Sequence, residues 1–183
     1  RRMHDAHVDA AAMTTIAISR VHFPITTLGP GRRLGIWFQG CSIRCVACVS
    51  ADTWPEGTGM TSVAALLHAV EPWLDKADGV TISGGEPFDQ PAALEHLLRE
   101  IRRRTTVDVL VYSGHPFARL GRWLERAPGL IDALMSEPYI EGAPQTLALR
   151  GSDNQVLHLL TDTGTRRFGP VAVASANHHF DVM

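Results

Sequence analysis

The sequence predicts an α/β protein whose strands form a partial, open (β/α) barrel of about five or six mostly parallel strands. Strand-like and helical segments alternate along the chain, a Gly-Gly pair follows one buried strand, and the strands are too few to close a barrel of eight. The strand-like runs lie at about 14-22, 34-39, 79-83, 107-113 and 131-135. The helical patterns lie at about 61-75, 90-104 and 116-126. Because one side of such a barrel stays open, we expect room for a large substrate.

Local signals support the first strands and helices. Trp37 and Phe38 are neighbours in the strand at 34-39, so we expect them to pack in the core on opposite faces of the sheet. Thr61 and Asp89 are the predicted N-caps of the first two helices. The second helix carries apolar side chains on one face, at Leu94, Leu97, Leu98 and Ile101.

The last part of the chain has weaker patterns. From about Thr163 onward the periodicity is weak, and we expect a loosely packed tail or one that contacts a partner. The adjacent His178 and His179 are interpreted as a solvated pair and not as metal ligands, because neighbours on an extended chain point in opposite directions.

Composition favours one cytoplasmic domain. The 183 residues are 45% hydrophobic, which suits a single sizeable core. Seventeen basic and nineteen acidic residues argue against a charged nucleic-acid or membrane surface, so we expect neither partner. No apolar run is long enough for a membrane span or a signal peptide. Because "MTTIAISRVHF" reads as a natural beginning, we expect residues 1-12 to be an upstream extension and residues 13-183 to form a single domain.

All three cysteines lie in the stretch "GCSIRCVAC", at Cys41, Cys45 and Cys48. An odd number of cysteines in a reducing compartment argues against a disulfide framework, and the CxxxCxxC spacing favours a metal site over simple packing. A structural zinc ion would need a fourth ligand, and the nearest histidines, His22 and His68, are distant in the chain. Three thiolates suit a 4Fe-4S cluster better, with each thiolate binding one iron and the fourth iron left open to a reactant.

A second motif is "GVTISGGEPFDQ", residues 79 to 90. Gly84 and Gly85 end a short buried strand, and ligands of open α/β folds bind at the carboxyl ends of strands, where bare backbone can approach them closely. Glu86 adds a carboxylate that suits an ammonium group. A plain strand-to-helix turn is the alternative for the glycines taken alone.

Together the cysteine spacing and the following Gly84-Gly85-Glu86-Pro87 resemble the radical S-adenosylmethionine superfamily. The segment at 29 to 54, which ends in Thr53-Trp54, is similar to the small activating enzymes of anaerobic ribonucleotide reductase. Ala47 is small, like the glycine common at that position in those enzymes. The stretches at 107 to 115 and 149 to 159 also resemble them. Ser136-Glu137 departs from the family's more usual Asp-Gly.

The resemblance implies a mechanism and a set of site residues. The three cysteines would hold a 4Fe-4S cluster whose open iron is chelated by S-adenosylmethionine, and one-electron reduction would cleave S-adenosylmethionine to methionine and a 5'-deoxyadenosyl radical. An external one-electron reductant such as flavodoxin or ferredoxin would supply the electron. The residues expected to bind S-adenosylmethionine are Ser83, Gly84, Gly85, Glu86, Pro87, Ser113 and Arg150. No side chain is expected to act as a catalytic acid or base.

The activating enzymes install a glycyl radical on a partner protein such as anaerobic ribonucleotide reductase, and that is the function the resemblance implies here. Two alternatives remain: a radical S-adenosylmethionine enzyme that modifies a peptide or small molecule, and a non-catalytic iron-sulfur or zinc-binding module. The departure at Ser136-Glu137 keeps the first alternative open. The Gly84-to-Pro87 motif argues against the second.

Overall fold

A central sheet forms the protein in the computed structural model, which describes residues 14–172. Within these residues there are seven strands: β1 (Thr15–Ile25), β2 (Arg33–Phe38), β3 (Met60–Ser62), β4 (Gly79–Gly84), β5 (Asp108–Tyr112), β6 (Ala133–Ser136) and β7 (Val156–Leu159). The same residues contain four α-helices: α1 (Val63–Leu74), α2 (Pro91–Arg104), α3 (Phe117–Arg126) and α4 (Asp162–Ala172). The expected upstream extension at 1-12 and the pair His178-His179 lie outside the described residues.

The strand order is β3-β1-β2-β4-β5-β6-β7, with the four central strands parallel. The flanking strands β1 and β7 pair antiparallel to β2 and β6, and β3 pairs antiparallel to β1. The two ends of the order do not pair with each other, so the barrel is open and the predicted fold class is confirmed. The strands that were not predicted, β3 and β7, are three and four residues long and partly exposed, so they show neither a clear alternation nor an apolar run, whereas the equally short β6 is wholly buried and apolar enough to be predicted.

The predicted helices are present, but their N-caps differ from the prediction. Ser62, and not Thr61, precedes α1, and its hydroxyl accepts a hydrogen bond from the Ala65 N–H at 3.0 Å. Gln90, and not Asp89, precedes α2. The Asp89 carboxylate instead accepts hydrogen bonds from Ser42 in residues 40–48, which we call the cysteine loop. This contact joins residues far apart in the chain, which local patterns do not report.

The core lies mainly between the sheet and helices α1, α2 and α3. Leu94, Leu97, Leu98 and Ile101 of α2 are buried there, as the apolar periodicity predicts. The other face of the sheet carries a smaller cluster of Leu110, Ala133 and the wholly buried Phe168 of α4. The expectation of a loose tail from about Thr163 is therefore wrong as far as Ala172, because α4 packs against the sheet.

A buried ion pair lies where the parallel strands begin. Arg33 at the start of β2 and Asp108 at the start of β5 are fully buried, with Arg33 Nη2 and Asp108 Oδ1 2.6 Å apart. Arg33 also donates to the Thr81 hydroxyl and to the Val80 carbonyl of β4. A Cβ at Gly79 would lie 2.2 Å from Arg33 Nη1, so the glycine leaves the space that the guanidinium occupies. None of the helices within residues 14–172 has the length and apolar character needed to cross a membrane.

Candidate functional site

The cysteine loop follows β2 directly and is held by backbone hydrogen bonds. The Gly40 N–H donates to the Thr53 carbonyl at 2.7 Å, and the Cys41 N–H donates to the Trp54 carbonyl at 3.3 Å. Between the cysteines the backbone enters the left-handed region twice, at Arg44 (φ 53°) and at Ala47 (φ 56°). These reversals fold the nine-residue stretch into a tight loop. At Ala47, the position where the activating enzymes commonly carry glycine, the positive φ is one that glycine adopts without strain.

All three cysteines line one cavity of about 740 Å³, a volume typical of a site for a small molecule or cofactor. Cys41 is buried, while Cys45 and Cys48 are half-buried. Burial raises the pKa of the Cys41 and Cys45 thiols and so favours their protonated form. Binding iron would release these protons, because only thiolates ligate metal.

The donor set fits a cluster better than a single ion. Among residues 14–172 no group of three His, Cys, Asp or Glu side chains is arranged to hold one metal ion. A 4Fe-4S cluster does not require such convergence, since each thiolate binds a different iron. Three thiols on one cavity wall therefore suit a cluster with one iron free of protein ligands.

The Gly84-Gly85 turn lies against the cysteine loop. The Gly85 N–H donates to the Phe38 carbonyl at 2.9 Å, and the Glu86 N–H donates to the Gly40 carbonyl at 2.8 Å. Gly84 has φ +106°, and a Cβ at Gly85 would lie 1.9 Å from the Gly40 carbonyl oxygen. The glycines are thus required for the close approach of two protein backbones. The sequence predicted either the close approach of a ligand or a plain strand-to-helix turn at these glycines.

Glu86 is almost completely buried and already has three hydrogen-bond donors. Its Oε1 accepts from the Phe88 N–H and the Ser113 hydroxyl, and its Oε2 accepts from the Gly114 N–H, each at 2.9 Å. Burial raises the pKa of this carboxyl group. A carboxylate has about four acceptor sites, so one remains for an ammonium group. The main structural effect of Glu86 is to join the carboxyl ends of β4 and β5.

The other residues predicted to bind S-adenosylmethionine are mostly at the same cavity. Ser83, Gly84, Gly85, Glu86, Ser113 and Arg150 line it. Pro87 does not line it but is buried, at the start of a 3₁₀ turn that leads into α2.

Arg150 brings a positive charge to the cavity wall. Its Nε donates to the Gln155 carbonyl at 2.7 Å, and its Nη1 donates to the Ala148 carbonyl at 3.1 Å. Burial lowers the pKa of the guanidinium, and within residues 14–172 no carboxylate forms an ion pair with it. A guanidinium held by carbonyls retains donors for an anionic group such as a carboxylate.

Several cavity residues were not predicted from the sequence. Trp37 lines the cavity and is only half-buried, so the expectation that it packs in the core is wrong, whereas Phe38 is buried as expected. Tyr112 at the end of β5 also lines it, and its hydroxyl donates to the Leu149 carbonyl at 2.9 Å. This bond holds the segment 147–151, another part of the wall, beside the strand ends. The alternation of side chains along β2 could have predicted the position of Trp37, because one of two adjacent strand residues faces away from the helices.

Two exposed apolar side chains lie at or near the cysteines. Val49, which follows Cys48 directly, lines the cavity and is 98% exposed, and Val46, between Cys45 and Cys48, is 71% exposed.

Ser136-Glu137, the departure from the family pattern, contacts the segments around the cavity without lining it, and the Glu137 carbonyl accepts a hydrogen bond from the cavity residue Gln155 at 3.2 Å. The Glu137 carboxylate accepts a hydrogen bond from the Phe117 N–H at the start of α3, at 3.2 Å. Ser136 Oγ lies 2.9 Å from His158 Nε2. Neither Ser136 nor Glu137 lines the cavity, so the departure affects the start of α3 and the β6–β7 pair.

Comparison with known proteins finds a matching family model, similar activating proteins and a similar solved structure. The model of a family described as a 4Fe-4S single cluster domain matches residues 27–158, a range that contains all three cysteines. The anaerobic ribonucleoside-triphosphate reductase-activating protein of Vibrio cholerae is 30% identical over 150 residues, which cover 76% of this chain and 96% of that protein. The pyruvate formate-lyase-activating enzyme of Staphylococcus epidermidis is 36% identical over 83 residues, 42% of this chain and 33% of that enzyme. Among solved structures, QueE from Escherichia coli aligns with a TM-score of 0.49 and 18% identity, covering 59% of this chain and 56% of that one.

Proposed function

Because the chain belongs to the 4Fe-4S single cluster family and is a radical S-adenosylmethionine enzyme of the activating type, we propose that it installs a glycyl radical on a partner protein such as an anaerobic ribonucleotide reductase. Its cofactors are a 4Fe-4S cluster and S-adenosylmethionine. The observation that carries the proposal is the 30% identity to an activating protein along 96% of that protein's length. The exposed side chains of Val49 at the cavity and of Val46 three residues earlier suit contact with a protein substrate.

We assign the cluster to Cys41, Cys45 and Cys48. Each thiolate would hold one iron of the cluster, which would leave one iron for the amino and carboxylate groups of S-adenosylmethionine. When bound, the two cofactors supply the 5'-deoxyadenosyl radical that takes a hydrogen atom from a glycine α-carbon of the partner. The chain itself binds and orients the two cofactors and excludes water from them, and no side chain transfers a proton in this step.

The cofactor-binding roles follow from the cavity wall. We assign the backbone of Ser83, Gly84 and Gly85 and the free acceptor site of Glu86 to the ammonium group of S-adenosylmethionine. Pro87 directs the chain from this wall into the 3₁₀ turn, and Ser113 holds the Glu86 carboxylate. Arg150, with its guanidinium fixed by two carbonyls, binds the carboxylate or ribose.

The test uses reconstituted protein mixed with S-adenosylmethionine, a one-electron reductant and an anaerobic ribonucleotide reductase that carries deuterium at the α-carbon of glycine. We expect about four irons and four sulfides per chain, a glycyl radical signal in electron paramagnetic resonance and deuterium in the 5'-deoxyadenosine. The Cys45→Ala variant should lack the cluster and give neither the radical nor the deuterium transfer. Deuterium that enters 5'-deoxyadenosine only from a labelled free peptide or metabolite would overturn the proposal.

A further inference from the structure

Helix α3 carries three exposed arginines that have no ion-pair partner. Within residues 14–172, the side chains of Arg119, Arg122 and Arg126 make no salt bridge, and we call these three residues the basic patch. The arginines of the neighbouring helix α2 differ, because Arg99, Arg102, Arg103 and Arg104 each pair with a carboxylate. Positive charge is therefore neutralised on α2 and left free on α3.

The basic patch borders a shallow depression of about 220 Å³ with a rigid aromatic wall. Phe88 and Trp123 line it, with their rings edge to face and their centroids 5.1 Å apart. The Trp123 indole donates to the Pro91 carbonyl at 3.1 Å, which fixes the ring. A preformed surface with free positive charge needs little reorganisation to bind an acidic partner.

A single carboxylate separates this depression from the cysteine loop. His115 lines the depression, and its Nε2 lies 3.5 Å from Asp89 Oδ1. The Asp89 carboxylate accepts from the Ser42 N–H at 2.7 Å and from the Ser42 hydroxyl at 2.8 Å, and Ser42 follows Cys41 directly. Ser42, Asp89 and the basic patch do not line the large cavity. The depression is therefore a second surface near the cysteine loop, and it is separate from the large cavity.

We propose that the basic patch docks the acidic one-electron donor protein, of the flavodoxin or ferredoxin kind, that reduces the cluster. Reductive cleavage of S-adenosylmethionine consumes one electron, which the donor loses and the cluster gains, with no bond formed or broken in that transfer. The cavity is needed for S-adenosylmethionine and the substrate, so the donor requires separate access to the cysteine loop. Three free arginines beside that loop complement the negative charge of an acidic donor. The inference rests on the radical S-adenosylmethionine chemistry and not on the identity of the substrate protein.

The experiment measures the second-order rate constant for reduction of the oxidised cluster by reduced flavodoxin in stopped flow. For the variant R122E/R126E we expect a fall of about tenfold or more at low ionic strength, with most of the difference removed at high salt, because screening weakens exposed charges. Calorimetric titration with oxidised flavodoxin should show a similarly weakened Kd. The matched control is R32E/R166E, which makes the same charge change at two exposed arginines at the other end of the parallel strands, Arg32 directly before β2 and Arg166 next to Arg167 of α4. That variant should behave like the wild type.

Reduction by a small molecule distinguishes a loss of docking from damage to the cluster. Photoreduced deazaflavin, which needs no docking surface, should reduce the cluster of the double variant at the wild-type rate. If the double variant does not fold, Arg122→Gln replaces it, with a smaller loss expected in the same direction. An unchanged rate constant and Kd with flavodoxin would overturn the inference, as would weakened binding of the reductase with flavodoxin unaffected. Since cluster reduction is read without any glycyl radical, failure of the proposed substrate would leave this measurement interpretable.

Discussion

Glu86 is the residue that connects the two strand ends beside the cysteine loop. Its carboxylate accepts hydrogen bonds from Phe88, Ser113 and Gly114, and it lies almost completely out of solvent. The sequence motif identifies Glu86 as a residue of the site. Its structural role, however, is to hold the Gly84-Gly85 turn against the end of β5. The residues assigned to S-adenosylmethionine therefore lie on one wall of the cavity.

We expect Glu86→Gln to destabilise the protein by about 1–3 kcal/mol, because the amide replaces one acceptor oxygen with a donor that faces an N–H or O–H group. Binding of S-adenosylmethionine should weaken while iron content stays at the wild-type level. Urea unfolding, iron analysis and calorimetry check these outcomes. The exposed Glu125→Gln is the matched control and should leave all three unchanged.

Because the pKa of Glu86 is raised, the difference in unfolding free energy between the wild type and Glu86→Gln should depend on pH. The folded state holds the Glu86 proton more tightly than the unfolded chain does, so the stability contributed by this group is present below the unfolded pKa and is lost as pH rises through the folded pKa. The stability advantage of the wild type over Glu86→Gln should therefore shrink as pH rises above about 4, the ordinary pKa of a glutamate side chain. A difference that grows with pH in urea unfolding would contradict the raised pKa.

At the scale of elements, the β2–cysteine loop junction and the β4 turn behave as one unit. Gly85 and Gly40 meet backbone to backbone, and the Glu86 N–H and the Gly85 N–H both donate to carbonyls of the other segment. A change in the glycine turn therefore displaces the loop that carries the thiols.

We expect Gly85→Ala to lower the iron content of the reconstituted protein as well as the affinity for S-adenosylmethionine. The reason is that the new Cβ would lie 1.9 Å from the Gly40 carbonyl oxygen, so one of the two backbones has to move. Iron and sulfide analysis after anaerobic reconstitution measures the effect. Gly121→Ala is the control, since no atom outside its own helix lies within 4 Å of the added Cβ, and it should keep full iron content while stabilising α3 by about 0.5–1 kcal/mol. Full iron content in Gly85→Ala would show that the two segments move independently.

At the scale of the whole molecule, the two ends of the parallel strands differ in role. The carboxyl ends carry the site, whereas the amino ends are held by the buried Arg33–Asp108 pair and by α4. Arg167 of α4 also pairs with Asp108 at 2.9 Å, and the Arg33 guanidinium lies over the Phe168 ring. These contacts attach the last described helix to the sheet at a distance from the chemistry.

Asp108→Asn should destabilise the protein by about 3 kcal/mol or more, because the Arg33 charge stays buried after its partner is removed. Denaturant unfolding of the reconstituted protein provides the measurement. The control is Asp52→Asn, which breaks the exposed Arg20–Asp52 pair and should cost less than about 1 kcal/mol. Equal effects of the two substitutions would mean that the buried pair contributes no more than an exposed one.

The sequence by itself determined the features that depend on neighbours in the chain. The cysteine spacing, the Gly84-Gly85 break after a buried strand and the apolar face of α2 are short-range patterns, and side-chain periodicity reports them directly. The fold class and the cluster motif followed from these patterns and from the resemblance. The short edge strands β3 and β7 were not predicted, because they are partly exposed and too short to show periodicity, whereas the equally short β6 is a buried apolar run.

Only the tertiary structure decided which distant residues meet. Asp89 contacts Ser42 across 47 positions, Glu86 contacts Ser113 across 27, and Tyr112 reaches Leu149 across 37. These contacts depend on the strand order, which places β4 between β2 and β5 and brings their carboxyl ends to one edge. The physical reason is that periodicity records which face of an element is apolar, while the partner of that face is chosen by packing across the whole sheet.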